Sequence, residues 1–323
     1  MQRKIKFFFL FLVVFLHAYP SEKTLVVSTK NGLCNRLRSI ASGYVLAQHY
    51  DRSFKVLWTQ EGSYSVGYTS WNDLFDSPPL DLMDEFPKNG AFFGKKEGGE
   101  PLELFHLPLV VEKDLVHDGD VQAYGRLRGC RRPGSEVWID IPSSFSQVTL
   151  QAIQNIRPSE MSAYEFYNKK REFYKLLIPK RPILEEIDRF AKNFTEKTIG
   201  VHIRAGDLLE NRWKKKEPSY LNFEIMMRKC LKEDRETIFF LCSDSYEVIS
   251  YFKRSFPRRI LTYDQNRFKQ DKIERFSVDG TKNALIELFL LSKTKKLIGT
   301  KFSSFSYEAA TLGGIDLIEI AHD

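Results

Sequence analysis

Three places in the chain end an apolar stretch in small polar residues, and these carry the most legible chemistry. The first is Ile199-Gly200-Val201-His202-Ile203-Arg204-Ala205-Gly206-Asp207. Side chains on a strand alternate with period two, so His202 and Arg204 share a face. A strand inside a parallel sheet is apolar on both faces, so an imidazole and a guanidinium at its carboxyl end require a partner. Arg204 is suited to a phosphate or to the charge growing on a leaving group, and His202 to a base or ribose. An internal ion pair of Arg204 with Asp207 is the plain, less favoured alternative. The second place is Asn31-Gly32-Leu33-Cys34-Asn35-Arg36-Leu37-Arg38. Here a turn opens a helix whose first backbone N–H groups, with the guanidiniums of Arg36 and Arg38, suit a phosphate. Capping of the helix by Asn35 with solvated arginines is the plain alternative. The third, Ile298 to Ser306, is again strand, polar turn and helix, in which Ser303 and Ser304 either cap the helix or cradle a phosphate.

Two carboxylates join this set. Asp244 follows a strand-like stretch, placed either to cap the next helix or to accept from a nucleotide. Glu287 lies within Ala284-Leu285-Ile286-Glu287-Leu288-Phe289-Leu290-Leu291, where a carboxylate must reach the surface or find a buried partner. Two adjacent N–H donors of a guanine would suit it. Missing signals narrow the reading further. No GxGxxG follows the first strand and no Walker lysine is present, which removes support for NAD and P-loop chemistry. There is no DxD pair in the setting expected for a metal-bound sugar nucleotide, no HExxH and no GxSxG, so phosphate charge falls to arginines, serines and helix ends, with no metal expected.

The elements that must position these residues follow from periodicity. Leu25–Ser28 reads as a buried strand, Asn35–Tyr50 as a helix and Phe54–Thr59 as the next strand, a βαβ unit that implies a parallel sheet. Residues 60–136 read as loops with a few short elements. Val137–Ile141 reads as a strand, and Leu150–Ile156, Glu160–Leu177 and Pro182–Phe194 as helices. From Lys197 onward strands and helices alternate regularly to Ile320, a doubly wound α/β pattern. The expected fold is therefore α/β, with two Rossmann-like halves facing a cleft. The boundaries are residues 23–194 for an acceptor-side domain and 195–323 for a donor-nucleotide domain.

The chain has 323 residues, 42% hydrophobic and 28% charged, which fits a globular protein rather than a disordered one. Its formal charge of +7 is spread among acids, favouring an anionic ligand over nucleic-acid binding. Four cysteines form no metal spacing and exclude a disulfide scaffold. Arg3, Lys4 and Lys6 precede the apolar run Phe7–Leu16, too short for a comfortable bilayer span of about 18 residues. Residues 1–18 thus read as a secretory signal peptide, with an uncleaved type II anchor as the competing reading. Asn193-Phe194-Thr195 is a glycosylation sequon that fits the secretory pathway or secretion.

Taken in order, these segments resemble the GDP-fucose-using fucosyltransferases with two Rossmann-like domains (GT-B type), the superfamily of α1,2-, α1,6-, protein O- and nodulation fucosyltransferases. Gly32-Leu33-Cys34-Asn35-Arg36-Leu37-Arg38 is similar to the family's G-L-G-N-R-L-R segment. His202, Arg204 and Asp207 match its H-x-R-x-x-D motif, and Ser303 and Ser304 its paired serines before a helix. Val56-Leu57-Trp58 and Trp71-Asn72-Asp73-Leu74-Phe75 resemble a strand and following element of bacterial members. The resemblance implies a metal-independent, inverting transfer of fucose from GDP-fucose to a glycan or protein acceptor. It implies Arg204 as the catalytic grip on the pyrophosphate, with Asn35, Ser303 and Ser304 adding phosphate contacts and Arg36 and Asp207 also among the donor-binding residues. His202 and Glu287 would recognise guanosine, with Asp244 beside them. Cys34 stands where the family has glycine, and Ala205 where α1,2 and α1,6 members have a second arginine. A transferase of another sugar nucleotide and a catalytically silent nucleotide- or glycan-binding relative are the alternatives. Membrane contact is expected only through an uncleaved leader.

Overall fold

The computed structural model describes residues 23–29, 32–58, 69–76, 80–85, 91–94, 137–138, 141, 146–151, 156–205, 220–263, 268–269, 272–273 and 277–321. The leader at 1–18, Asp207, Cys130 and most of the loop-rich stretch 60–136 lie outside the described residues.

Strand β1 (Thr24–Thr29) leads into helix α1 (Leu33–His49) and strand β2 (Ser53–Trp58). After them come α2 (Trp71–Leu74), β3 (Phe75–Asp76), β4 (Asp81–Met83), β5 (Ala91–Gly94), β6 (Val137–Trp138), β7 (Gln147–Gln151) and β8 (Ile156–Arg157). The half closes with α3 (Ala163–Lys175), β9 (Ile178–Pro179) and α4 (Arg181–Ala191). The first sheet is parallel, in the order β4-β2-β1-β7-β5. Val27 and Phe54 press on Gly43 of α1, where a Cβ would stand 2.2 Å from the Val27 side chain. That close approach seats α1 directly on the sheet.

The second half runs β10 (Thr198–Ile203), α5 (Tyr220–Glu233), β11 (Ile238–Ser243), α6 (Tyr246–Ser255), β12 (Ile260–Leu261), β13 (Phe268–Lys269) and β14 (Lys272–Ile273). It ends with α7 (Val278–Ser292), β15 (Leu297–Thr300), α8 (Ser304–Gly313) and β16 (Leu317–Ile320). The sheet order β12-β11-β10-β15-β16 is all parallel and places β10 in the middle. All six β10 residues are buried, as a central parallel strand requires. One face packs Val201, Phe239 and Leu241 against Phe223 and Met227 of α5 and Val248 and Phe252 of α6. The other carries Phe240, Cys242 and Leu297 into a core shared with Leu37 and Ile40 of α1, Phe173 of α3, and Leu285 and Leu288 of α7. Helices α1 and α3 therefore lie against α7 and α8 between the two sheets.

The structure differs from the expected elements in places. Of the expected helix 150–156, residues 150–151 end β7 and Ile156 opens β8, while 152–155 lie outside the described residues. Leu150, Ile153 and Ile156 repeat every three residues and so imitate a helical face. The real pattern is the alternation of Val148 and Leu150, which pair with Leu25 and Val27 of β1. Of the expected strand 137–141, Val137–Trp138 is strand and Ile141 is not, while 139–140 lie outside the described residues. Helix α1 begins at Leu33, with Gly32 as N-cap, two residues before the expected Asn35.

Candidate functional site

At the carboxyl end of β10 the backbone is held on both sides. The Arg204 N–H donates to Thr300 Oγ1 at 2.9 Å, and that hydroxyl donates to the His202 carbonyl at 3.2 Å. The Ala205 N–H donates to Asp244 Oδ1 at 2.6 Å. Asp244 thus braces the loop after β10, while Ser245 takes the capping role for α6 by accepting from the Val248 N–H. His202, 7% exposed, has Nδ1 2.8 Å from Ser306 Oγ, and its ring stacks on Phe305 with centroids 4.8 Å apart. His202 is therefore tied to the first turn of α8. Arg204 follows it half-buried.

Two helix N-termini approach this strand end. Four helices give the contrast: α2, α3, α6 and α7 are capped by the hydroxyls of Ser70, Ser162, Ser245 and Ser277. Neither α1 nor α8 has a side-chain cap. Gly32 precedes α1 with open space where a Cβ would stand. Ser303 precedes α8 with its hydroxyl buried and without a hydrogen-bond partner among the described residues. The turn leading to Ser303 holds Phe302 at φ +67 and 43% exposed. Unsatisfied N–H groups at a helix start carry partial positive charge and favour an anion. In the first turn of α1, burial pushes the Cys34 thiol well up and Glu308 adds to this, against opposing pulls from Arg38 and Arg204. Arg204 is thus within electrostatic reach of that turn, and Cys34 stays a neutral thiol.

The arginines of the α1 segment are committed elsewhere. Arg36 is 1% exposed, donates from Nη1 to Thr29 Oγ1 at 3.3 Å and lies over the Trp58 ring at 4.8 Å. Arg36, expected at the donor, is thus buried and ties α1 to the carboxyl edge of the first sheet. Arg38 pairs with Glu308 of α8 at 2.5 Å. Glu308 also receives Lys170 Nζ at 3.4 Å and the Tyr174 hydroxyl, both from α3. Burial raises the Glu308 carboxyl, but Lys170 and Arg38 outweigh it and hold the group below its ordinary value. This buried network escaped sequence reasoning, because its members stand 134 to 270 positions apart. A Glu in the second turn of a helix that opens on serines gives no local sign of a partner.

The remaining residues fall as follows. Asn35 is half-buried in the first turn of α1 and does not cap it. Ser304 opens α8, half-buried. Glu287 is 5% exposed on α7, among the helices between the sheets. Asp207 lies outside the described residues.

An α/β protein with two parallel sheets, arranged as in GT-B fucosyltransferase structures, is the class these features define. A NodZ alpha-1,6-fucosyltransferase crystal soaked with GDP-fucose superposes with a TM-score of 0.59 at 17% identity, covering 93% of this chain and 95% of that one. FUT1 of Arabidopsis thaliana, in complex with GDP, superposes with a TM-score of 0.52 at 16% identity, over 95% and 72% of the two chains. Nodulation protein Z of Azorhizobium caulinodans is 33% identical over 300 residues, 87% of this chain and 86% of that protein. The profile described as Nodulation protein Z (NodZ) matches residues 165–313. The chain belongs to the nodulation protein Z family.

Proposed function

We propose that this protein is a glycosyltransferase that moves fucose from GDP-fucose to a glycan acceptor. The carrying observation is the end of β10, where Arg204 stands and His202 ties the strand to α8, a helix start that lacks a side-chain cap and holds the buried Ser303 hydroxyl, with the uncapped α1 within electrostatic reach of Arg204. Family membership and the fold shared with GDP- and GDP-fucose-bound structures support the same reading.

In this reading an acceptor hydroxyl attacks the anomeric carbon of fucose as its bond to the β-phosphate oxygen breaks. The bonding pair leaves with GDP, the anomeric centre inverts, and the hydroxyl proton passes to a general base. Arg204 meets the charge growing on the departing diphosphate, the group a fixed guanidinium stabilises best. The first-turn N–H groups of α1 and α8, with Asn35, Ser303 and Ser304, hold the phosphates. His202 and Glu287 serve guanosine recognition, with Asp244 beside them and Asp207 also on the donor. Arg36 supports from inside. No metal is required in this scheme, so chelator leaves the rate unchanged. The leader at 1–18 would route the chain into the secretory pathway, and the exposed Asn193 sequon is compatible with modification there.

The test is titration of the protein lacking residues 1–18 with GDP, GDP-fucose and UDP in chelator, followed by turnover assays of Arg204→Ala. Selective binding of the guanosine ligands is expected. Arg204→Ala should keep its melting temperature and lose about 10²- to 10³-fold in kcat. Wild-type turnover in this variant removes the catalytic assignment, and selective binding of UDP moves the donor to another sugar nucleotide.

A further inference from the structure

The buried carboxylate of Glu308 has a position that its contribution to packing does not explain. It lies five residues beyond the N-cap of α8, and its partner Arg38 six residues beyond the N-cap of α1. At a rise of 1.5 Å per residue, the pair sits about 8 to 9 Å below each uncapped helix start. Lys170 and Tyr174 of α3 reach the other carboxylate oxygen, so three helices from the two halves converge on one group. Glu308 is 2% exposed and Lys170 1%. Such a group is held by directional bonds from several sides, whereas the apolar contacts around it tolerate sliding.

We propose that Glu308 is a positioning residue that sets the separation and angle at which the N-termini of α1 and α8 face one donor diphosphate. The role rests on the donor site described above. Because the lever from the ion pair to the helix starts is short and rigid, a displacement at Glu308 reaches the phosphate-binding N–H groups almost undiminished. Misplacement of binding groups by about 1 Å costs on the order of 10²-fold in rate. Glu308 itself touches no substrate in this arrangement; it acts through Arg38 and the two helices.

Two variants separate positioning from stability. Glu308→Asp keeps the charge and shortens the reach by one methylene. The combined replacement Arg38→Met, Lys170→Met, Tyr174→Phe, Glu308→Leu removes every polar member together, so that no buried charge is left unpaired. Melting temperature, GDP affinity by calorimetry, and donor KM and kcat are measured for each, beside the full-length wild type. The expected result is a Glu308→Asp protein that melts within a few degrees of wild type, with GDP affinity weakened about tenfold or more. Should the combined variant fold stably, its donor KM stays raised although its stability is restored. Variants that regain wild-type GDP affinity and donor KM whenever their melting temperature is wild type overturn the positioning role. If the combined variant fails to fold, the Glu308→Asp measurement decides alone. A wild-type protein that binds neither GDP nor GDP-fucose overturns the donor site itself, and the role with it, a result distinct from equal binding by wild type and variant.

Discussion

Ser303 places a hydroxyl in the interior with no hydrogen-bond partner among the described residues, just where α8 begins. A buried unpaired hydroxyl costs stability in the free protein, and removing it is neutral or favourable. Ser303→Ala should therefore melt at or above the wild-type temperature while binding GDP about 10- to 100-fold more weakly, the worth of a hydrogen bond to a charged phosphate of about 1.5–3 kcal/mol. Paired melting and calorimetry check this, and equal affinity in the two proteins would remove Ser303 from the donor site. Glu308 makes a prediction of pH dependence. Its folded-state carboxyl is held below the ordinary value by Lys170 and Arg38, against burial. Its stabilisation is thus fully present above the ordinary carboxylate range and is lost as pH falls through the folded-state value. Glu308→Gln leaves two cations without their counter-charge and should cost about 3–5 kcal/mol at pH 7. Urea midpoints measured from pH 7 to pH 3 should converge for the two proteins at the acid end. A constant gap would show that the charge is not the source. His202 and Arg204 were legible as functional because polar side chains contradict their strand. Glu308, Arg38, Lys170 and Tyr174 were not legible, since each is an ordinary residue for its helix surface.

Glycine at the end of α8 shows how closely elements approach in the second half. A Cβ on Gly313 would stand 2.2 Å from the Ser292 carbonyl oxygen at the end of α7. Backbone cannot yield as a side-chain tip can, so Gly313→Ala should destabilise by about 1–3 kcal/mol, read as a lowered urea midpoint. Donor affinity should weaken with it if α8 shifts along its axis. Elements whose signals are local were readable: apart from the short β13 and β14, β10 to β16 alternate short apolar strands with helices. Strand β7 was misread because three apolar residues at helical spacing overlap a genuine period-two alternation. Its pairing with β1, more than a hundred residues earlier, decided the matter. Helix α1 likewise starts at Leu33, behind Gly32, rather than at Asn35, and its first N–H groups have no side-chain cap.

Across the molecule, one apolar core runs from α1 and α3 through α7 and α8 to β11, and Thr69 donates to Thr281 at 3.2 Å between the halves. Phe190 and Phe194, at and just beyond the end of α4, pack on Phe240 of the second sheet with centroids 5.5 and 5.0 Å apart. A chain cut near residue 194 would expose both sides of that core. The intact protein should therefore unfold in one transition, with far-UV circular dichroism and tryptophan fluorescence reporting the same urea midpoint. Two resolved transitions would mean that the halves are independent units. GDP should raise the single transition as a whole by mass action. The amino-acid sequence by itself determined the parallel α/β class and the polar strand ends, because hydrophobic periodicity and strand-to-helix turns act over fewer than about twenty residues. Only the tertiary structure decided which groups meet. Arg36 turns inward onto Trp58, Arg38 is claimed by Glu308, and the start of α8 is set against the end of β10. Those choices depend on packing between segments up to 270 positions apart, where burial makes each charge find a partner and no local pattern specifies which one.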